Sequence, residues 1–151
     1  KNIRSFGLQQ VELQEAAVWT ENTTLHFSSG GTMGSSISSS NSTNTLQVKA
    51  VRLKDYLNEP TDFLKIDIEG AEYEVIRDIA GSLHNVQKMF LEYHGRFDQN
   101  KELLEMLEHV RNAGFKFYIK EAAPVYPIPF RIDRNNSLDY DVQLNIFCIR
   151  P

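Results

Sequence analysis

Apolar and polar residues change period several times along this chain, and each change marks an element. From Phe63 to Ile68 the period is two, with Leu64, Ile66 and Ile68 on one face and Lys65, Asp67 and Glu69 on the other, which predicts a strand. From Ala71 the spacing lengthens. Ala71, Val75, Ile76 and Ile79 recur at helical intervals, and Gly81 is the expected stop. Val86 to Tyr93 predicts another strand, whose apolar run Met89-Phe90-Leu91 ends in Glu92-Tyr93-His94-Gly95. Asn100 to Ala113 predicts an amphipathic helix with Leu103, Leu104, Leu107 and Val110 on one stripe, closed by Gly114. Phe115, Phe117 and Ile119 alternate as a strand, Ala123 to Phe130 is a proline-punctuated loop, and Val142 to Ile149 predicts the last strand. The order from residue 63 is β-α-β-α-β-loop-β, the second half of a doubly wound α/β sheet. No helical pattern separates the last two strands, so that pair is expected to be antiparallel.

The first sixty residues read differently. Residues 1–6 look like the tail of a helix closed by Gly7, and strands are expected at about 11–19, 24–27 and 46–51. One helical turn, Leu53 to Leu57, stops before Pro60. Between the second and third strands, Ser28 to Thr45 is Ser, Gly, Thr and Asn, with only Met33 and Ile37 as large apolar residues. Such a composition cannot offset its ordering entropy, so 28–45 is expected to be a flexible hairpin tip. Gly30-Gly31-Thr32-Met33-Gly34 lacks the lysine and helix of a phosphate loop. The start inside a helix tail predicts a single domain over 1–151 cut short at its N-terminus.

Composition narrows the class. At 151 residues, with 41% hydrophobic and 24% charged, the chain has the make-up of one globular domain. A net charge of -4 without a basic cluster argues against nucleic acid as a partner. The lone cysteine, Cys148, lies in an apolar run and reads as a small buried hydrophobe, which favours a reducing, cytoplasmic setting. No run reaches the roughly 18–20 apolar residues of a membrane span. Sequons at Asn22, Asn41 and Asn135 are of a kind common by chance.

Candidate chemistry gathers at two strand ends. An acid is costly inside an apolar strand unless it reaches solvent or a partner, so Asp67 reads as functional. Glu72 and Glu74 fit the bland role of complementing a helix N-terminus. Glu92 and His94, two apart, face the same way, and His26, His84 and His109 read as solvated. Asp67, Glu69, Glu92 and His94 together would suit Mg, Mn or Zn, but no His-x-x-x-His spacing supports a metal and none is assigned. A metal-dependent hydrolase and a non-catalytic binding module remain the alternatives.

The run Leu64-Lys65-Ile66-Asp67-Ile68-Glu69-Gly70-Ala71-Glu72, the later Leu91-Glu92-Tyr93-His94, Ala113-Gly114-Phe115 and Leu144-Asn145-Ile146-Phe147 resemble the FkbM-type methyltransferase family. So do Glu15-Ala16-Ala17-Val18-Trp19 and Val51-Arg52-Leu53-Lys54-Asp55-Tyr56-Leu57. The resemblance implies a Rossmann-like class I methyltransferase sheet, of strand order 3-2-1-4-5-7-6, with a β-hairpin insertion. It implies S-adenosylmethionine as cofactor and a hydroxyl of a small molecule, sugar or glycolipid as acceptor. It puts Ala17, Val18 and Trp19 near the adenine and Asp67 at the methionyl part. Lys65, Glu69, Glu92 and His94 would line the acceptor side. His94 is then the expected base, with Glu92 or Asp67 as its partner. The family's Asp-x-Gly-x-x-x-Gly turn and the acid that holds the ribose are missing, so this chain alone is expected to bind cofactor weakly and to be inactive. Without strands one and two, the fourth strand has an open edge. Residues 11–19 are expected to pair with 63–68, or the chain to form a homodimer there or to fold poorly.

Overall fold

The computed structural model describes residues 2–28, 45–132 and 140–151. In chain order these form helix α1 (Asn2–Ser5), strands β1 (Ala17–Trp19), β2 (Thr23–Ser28) and β3 (Thr45–Arg52), and a 3-10 turn at Leu53–Tyr56. Strand β4 (Thr61–Ile66), helix α2 (Glu72–Ile79), a 3-10 turn at Ala80–Asn85 and strand β5 (Val86–Gly95) follow. A 3-10 turn at Phe97–Gln99, helix α3 (Asn100–Asn112) and strands β6 (Lys116–Glu121) and β7 (Val142–Ile149) complete the set. The result is a mixed α/β fold with two sheets.

The larger sheet has the order β4-β5-β7-β6. β4 and β5 are parallel and joined through α2, whereas β7 is antiparallel to both β5 and β6, as the sequence predicts for the last pair. Leu64 and Ile66 of β4, Met89, Leu91 and Tyr93 of β5, and Ile146 and Cys148 of β7 meet Val75, Ile76 and Ile79 of α2 and Met106 and Val110 of α3. Each fully buried side chain of this kind contributes about 1.5–3 kcal/mol. The α3 stripe differs from expectation. Leu104 is 67% exposed and Met106 is buried instead, because 103, 106, 107 and 110 follow the i, i+3, i+4, i+7 face and 104 does not.

Several boundaries also differ. Gly81 does not stop the helix: α2 ends at Ile79 and tightens into the 3-10 turn, whose Leu83 carbonyl accepts from the Arg150 guanidinium at 2.8 Å. The strand expected at 63–68 runs from Thr61 to Ile66, so Asp67 and Glu69 lie beyond the sheet and not on its pleat. The strand expected over 11–19 shrinks to Ala17–Trp19, with Val11 and Leu13 exposed before it.

That short strand pairs parallel with β3, Ala17 opposite Ala50, and not with residues 63–68. The β2–β3 hairpin already offers the hydrogen-bonding edge that β1 needs, so the three make a second sheet of order β1-β3-β2. Arg52 at the end of β3 ties this sheet to α2, its Nε donating to Asp78 Oδ2 at 3.0 Å. The outer edge of β4 has no strand partner among the described residues. Residues 29–44, almost all of the expected hairpin tip, lie outside the described residues, as do the sequons at Asn41 and Asn135. No helix among the described residues is long and apolar enough to cross a membrane.

Candidate functional site

The two parallel strands end at different heights. Their pairing stops at Ile66 opposite Leu91, yet β5 continues to Gly95. Met89, Leu91 and Tyr93 turn into the core, so the alternation puts Glu92 and His94 on the other face, beyond the last rung shared with β4. The chain leaving β4 folds over this overhang as a hook. Glu69 has φ 57° and Gly70 φ 102°, both in the left-handed region. For a glutamate this costs about 1–2 kcal/mol, so other contacts must hold it. Tyr140 supplies one, its hydroxyl donating to the Glu69 carbonyl at 2.7 Å. Its ring also lies 3.4 Å from where a Cβ on Gly70 would sit.

Glu72 supplies the rest. The side chain assigned from the sequence to the helix end is wholly buried, 0% exposed, and turned back into the hook. Its carboxylate accepts the N–H groups of Ile68, at 3.2 Å, and Gly70, at 3.0 and 3.1 Å. A carboxylate out of reach of water requires such partners. The third is His94, whose Nδ1 lies 3.3 Å from Glu72 Oε1. The capping role expected of Glu72 is therefore corrected, while Glu74 makes an ordinary surface pair with Arg77.

His94 is 4% exposed and has acids on both sides. Beyond its Nε2 stand Glu69 Oε2 at 3.6 Å and Glu92 Oε1 at 3.8 Å. The Tyr140 ring covers it, centroids 4.9 Å apart. Of the partners expected for His94, Glu92 stands 3.8 Å from Nε2, while the nearer partner is Glu72, at Nδ1 and buried with it. Asp67 instead takes the Lys65 ammonium at 2.8 Å. Burial works against a charge on His94. The hydrogen bond to Glu72 and the charges of Glu72, Glu69 and Glu92 outweigh it, and the imidazole is held above its ordinary pKa. One ligand-type atom each from Asp67, Glu69 and His94 lies within 4.8 Å of the others.

Other candidates stand elsewhere. Ala17, Val18 and Trp19 are half-buried in the second sheet, with Val18 packed against the main core. His26 and His84 are exposed, and His84 Nδ1 lies 2.8 Å from the Gly81 carbonyl. Burial pushes the Cys148 thiol up to about 12, which leaves it the inert hydrophobe expected. Near the end of β5, Asp141 accepts the Phe97 N–H at 3.2 Å and the Tyr126 hydroxyl at 2.7 Å, and Tyr126 stacks on Phe97. The proline-rich loop is thereby tied beside the overhang.

Sequence reasoning missed Glu72, Tyr140 and Asp141 as parts of this site. Glu72 left a signal, an acid two residues after a glycine that follows a strand, but a cap gives the same signal. Tyr140 and Asp141 lie some seventy residues downstream of the hook and left none. Compared with known proteins, the model of the methyltransferase FkbM domain matches residues 2–117. No curated protein and no solved structure matches the chain.

Proposed function

The chain belongs to the FkbM methyltransferase domain family, and from that premise we propose that it moves a methyl group from S-adenosylmethionine to a hydroxyl oxygen of a small molecule, sugar or glycolipid. One observation carries this reading. Glu69 and Glu92 stand about Nε2 of a buried histidine, with an Asp67 oxygen within 4.8 Å of its ring nitrogen, at the carboxyl ends of two parallel strands, where open α/β sheets take their ligands. The order β4-β5-β7-β6, with β7 antiparallel, supports a Rossmann-like class I sheet in which these are the fourth, fifth, seventh and sixth strands. The lone buried thiol supports a cytoplasmic setting.

The acids fit the charged end of the cofactor, since a sulfonium and an ammonium are cations and the Asp67 and Glu69 side chains reach solvent. S-Adenosylmethionine supplies an electrophilic methyl group on positively charged sulfur. The chain's own residues do the remainder. When the cofactor is bound, Asp67 would face its methionyl part, and Ala17, Val18 and Trp19 would contact the adenine. Lys65, Glu69 and Glu92 hold the acceptor, and much of the acceleration in an in-line displacement comes from that alignment. His94 Nε2 takes the hydroxyl proton, a step typically worth about 10²–10⁴ in rate. Glu72, at Nδ1, fixes the tautomer that leaves Nε2 free and stabilises the imidazolium that results.

Calorimetry with S-adenosylhomocysteine and transfer of a labelled methyl group to a panel of hydroxylated acceptors test the reading. The expected result is binding, and transfer to oxygen that falls on His94→Gln, in a form that carries the glycine turn and ribose acid; lacking both, residues 1–151 alone should bind weakly and transfer little. Turnover unchanged in that variant removes His94 as base. Absence of cofactor binding, both by this chain and by one extended upstream, removes the cofactor.

A further inference from the structure

We propose that Asp67, Glu69 and His94 form a binding site for a first-row divalent cation, and that a cation there switches off the proton-accepting role of His94. The second half rests on reading Nε2 as the base; the first half stands without it.

The geometry is close to what such a cation needs. Metal–ligand bonds of about 2.0–2.2 Å put the ligand atoms of a tetrahedral site about 3.4 Å apart. The edge from His94 Nε2 to Glu69 Oε2 is 3.6 Å, and one atom from each of the three residues lies within 4.8 Å of the others. The longest edge must close by up to about 1.4 Å, the reach of a side-chain rotation, and Asp67 sits just past the end of β4, outside the sheet and exposed.

The histidine is an observation separate from the acids. Its side chain is only 2% exposed, and Nε2 has no hydrogen-bond partner among the described residues, because its nearest acceptors stand at 3.6 and 3.8 Å. Its other nitrogen is bonded to a buried carboxylate that two backbone N–H groups anchor. A histidine held through one nitrogen by a carboxylate, with the other bare and aimed at acids, is how metal-binding histidines are presented. One imidazole and two carboxylates suit Mn²⁺ or Zn²⁺ better than an all-oxygen cation such as Ca²⁺. Glu92, at 3.8 Å from Nε2, is left to orient a water in the open position.

Charge points the same way. Asp67, Glu69, Glu72 and Glu92 crowd about one imidazole, and the lysine at hand is Lys65, on Asp67 Oδ2. Lys65 acts as a tethered cation that a metal must displace from that oxygen. Because a cation at Nε2 occupies the lone pair that would take the hydroxyl proton, metal and acceptor deprotonation exclude each other.

Titration of the 151-residue chain with Mn²⁺, followed by the loss of the free-ion electron paramagnetic resonance signal and by Zn²⁺ competition, tests this. One Mn²⁺ per chain is expected. Asp67→Asn and Glu69→Gln, at positions outside the core, should each weaken binding by roughly tenfold or more. Lys65→Met should tighten it, by up to about fivefold, the scale of a surface ion pair, and misfolding cannot mimic that gain. The cation site is overturned by no saturable binding, or by equal affinity in all three variants. Binding without inhibition of methyl transfer keeps the site and overturns His94 as base, whereas inhibition without binding overturns the site alone.

Discussion

Replacing Glu72 by glutamine keeps the shape of the side chain and removes its charge and one acceptor oxygen. In the native structure that carboxylate serves the part-buried N–H groups of Ile68 and Gly70 and the buried imidazole of His94. The amide oxygen can keep one N–H, but the new NH₂ then faces a donor. Hydrogen bonds to charged groups contribute about 1.5–3 kcal/mol each, and breaking a buried pair by removing one partner costs about 3–5 kcal/mol. A loss of about 2–4 kcal/mol follows, a large share of the roughly 5–15 kcal/mol that holds a domain together. At about 2–4 °C per kcal/mol for a chain of this length, Glu72→Gln should lower the melting temperature by roughly 4–16 °C. Urea denaturation of the wild type, Glu72→Gln, His94→Gln and the double variant measures the effect and its origin. A coupling above about 0.5 kcal/mol between the two positions is expected of residues in contact. A loss below about 0.5 kcal/mol, or strict additivity, would refute the claim that Glu72 supports both hook and histidine.

The raised pKa of His94 gives stability and activity opposite pH dependences. The stability it contributes is complete below its unfolded value of about 6.5 and is lost as pH rises through the higher folded value, so the urea midpoint should fall across that window and His94→Gln should flatten the fall. As base it must be neutral, so methyl transfer should rise with pH through the same window, and a rate limb centred below about 6.5 contradicts that role. A Cβ on Gly95 would overlap the hydroxyl end of the buried Tyr93 ring, so Gly95→Ala should cost on the order of 1–3 kcal/mol in a thermal melt, and a neutral result refutes the packing argument.

What the sequence determined by itself is local. A period of two ending in acids, then a period near 3.6, is enough to read β4, α2, β5 and α3, because each pattern reports which face one element buries. The Lys-Ile-Asp-x-Glu-Gly-Ala-Glu run likewise marks the family, and Asp67, Glu69, Glu92 and His94 were legible as a group because two strand ends had to lie side by side. The tertiary structure decided the rest. Residues 11–15 alternate like a strand, yet a strand needs an edge, and the hairpin gave one only to Ala17–Trp19. Glu72 has the spacing of a cap, and only the descent of the hook over the end of β5 makes it a buried partner of His94. Tyr140 has no periodicity at all, and its hydrogen bond to a left-handed Glu69 depends on β7 returning beside β5. Burial, edge availability and the pairing of charges are properties of segments brought together from distant parts of the chain, and no window of sequence contains them.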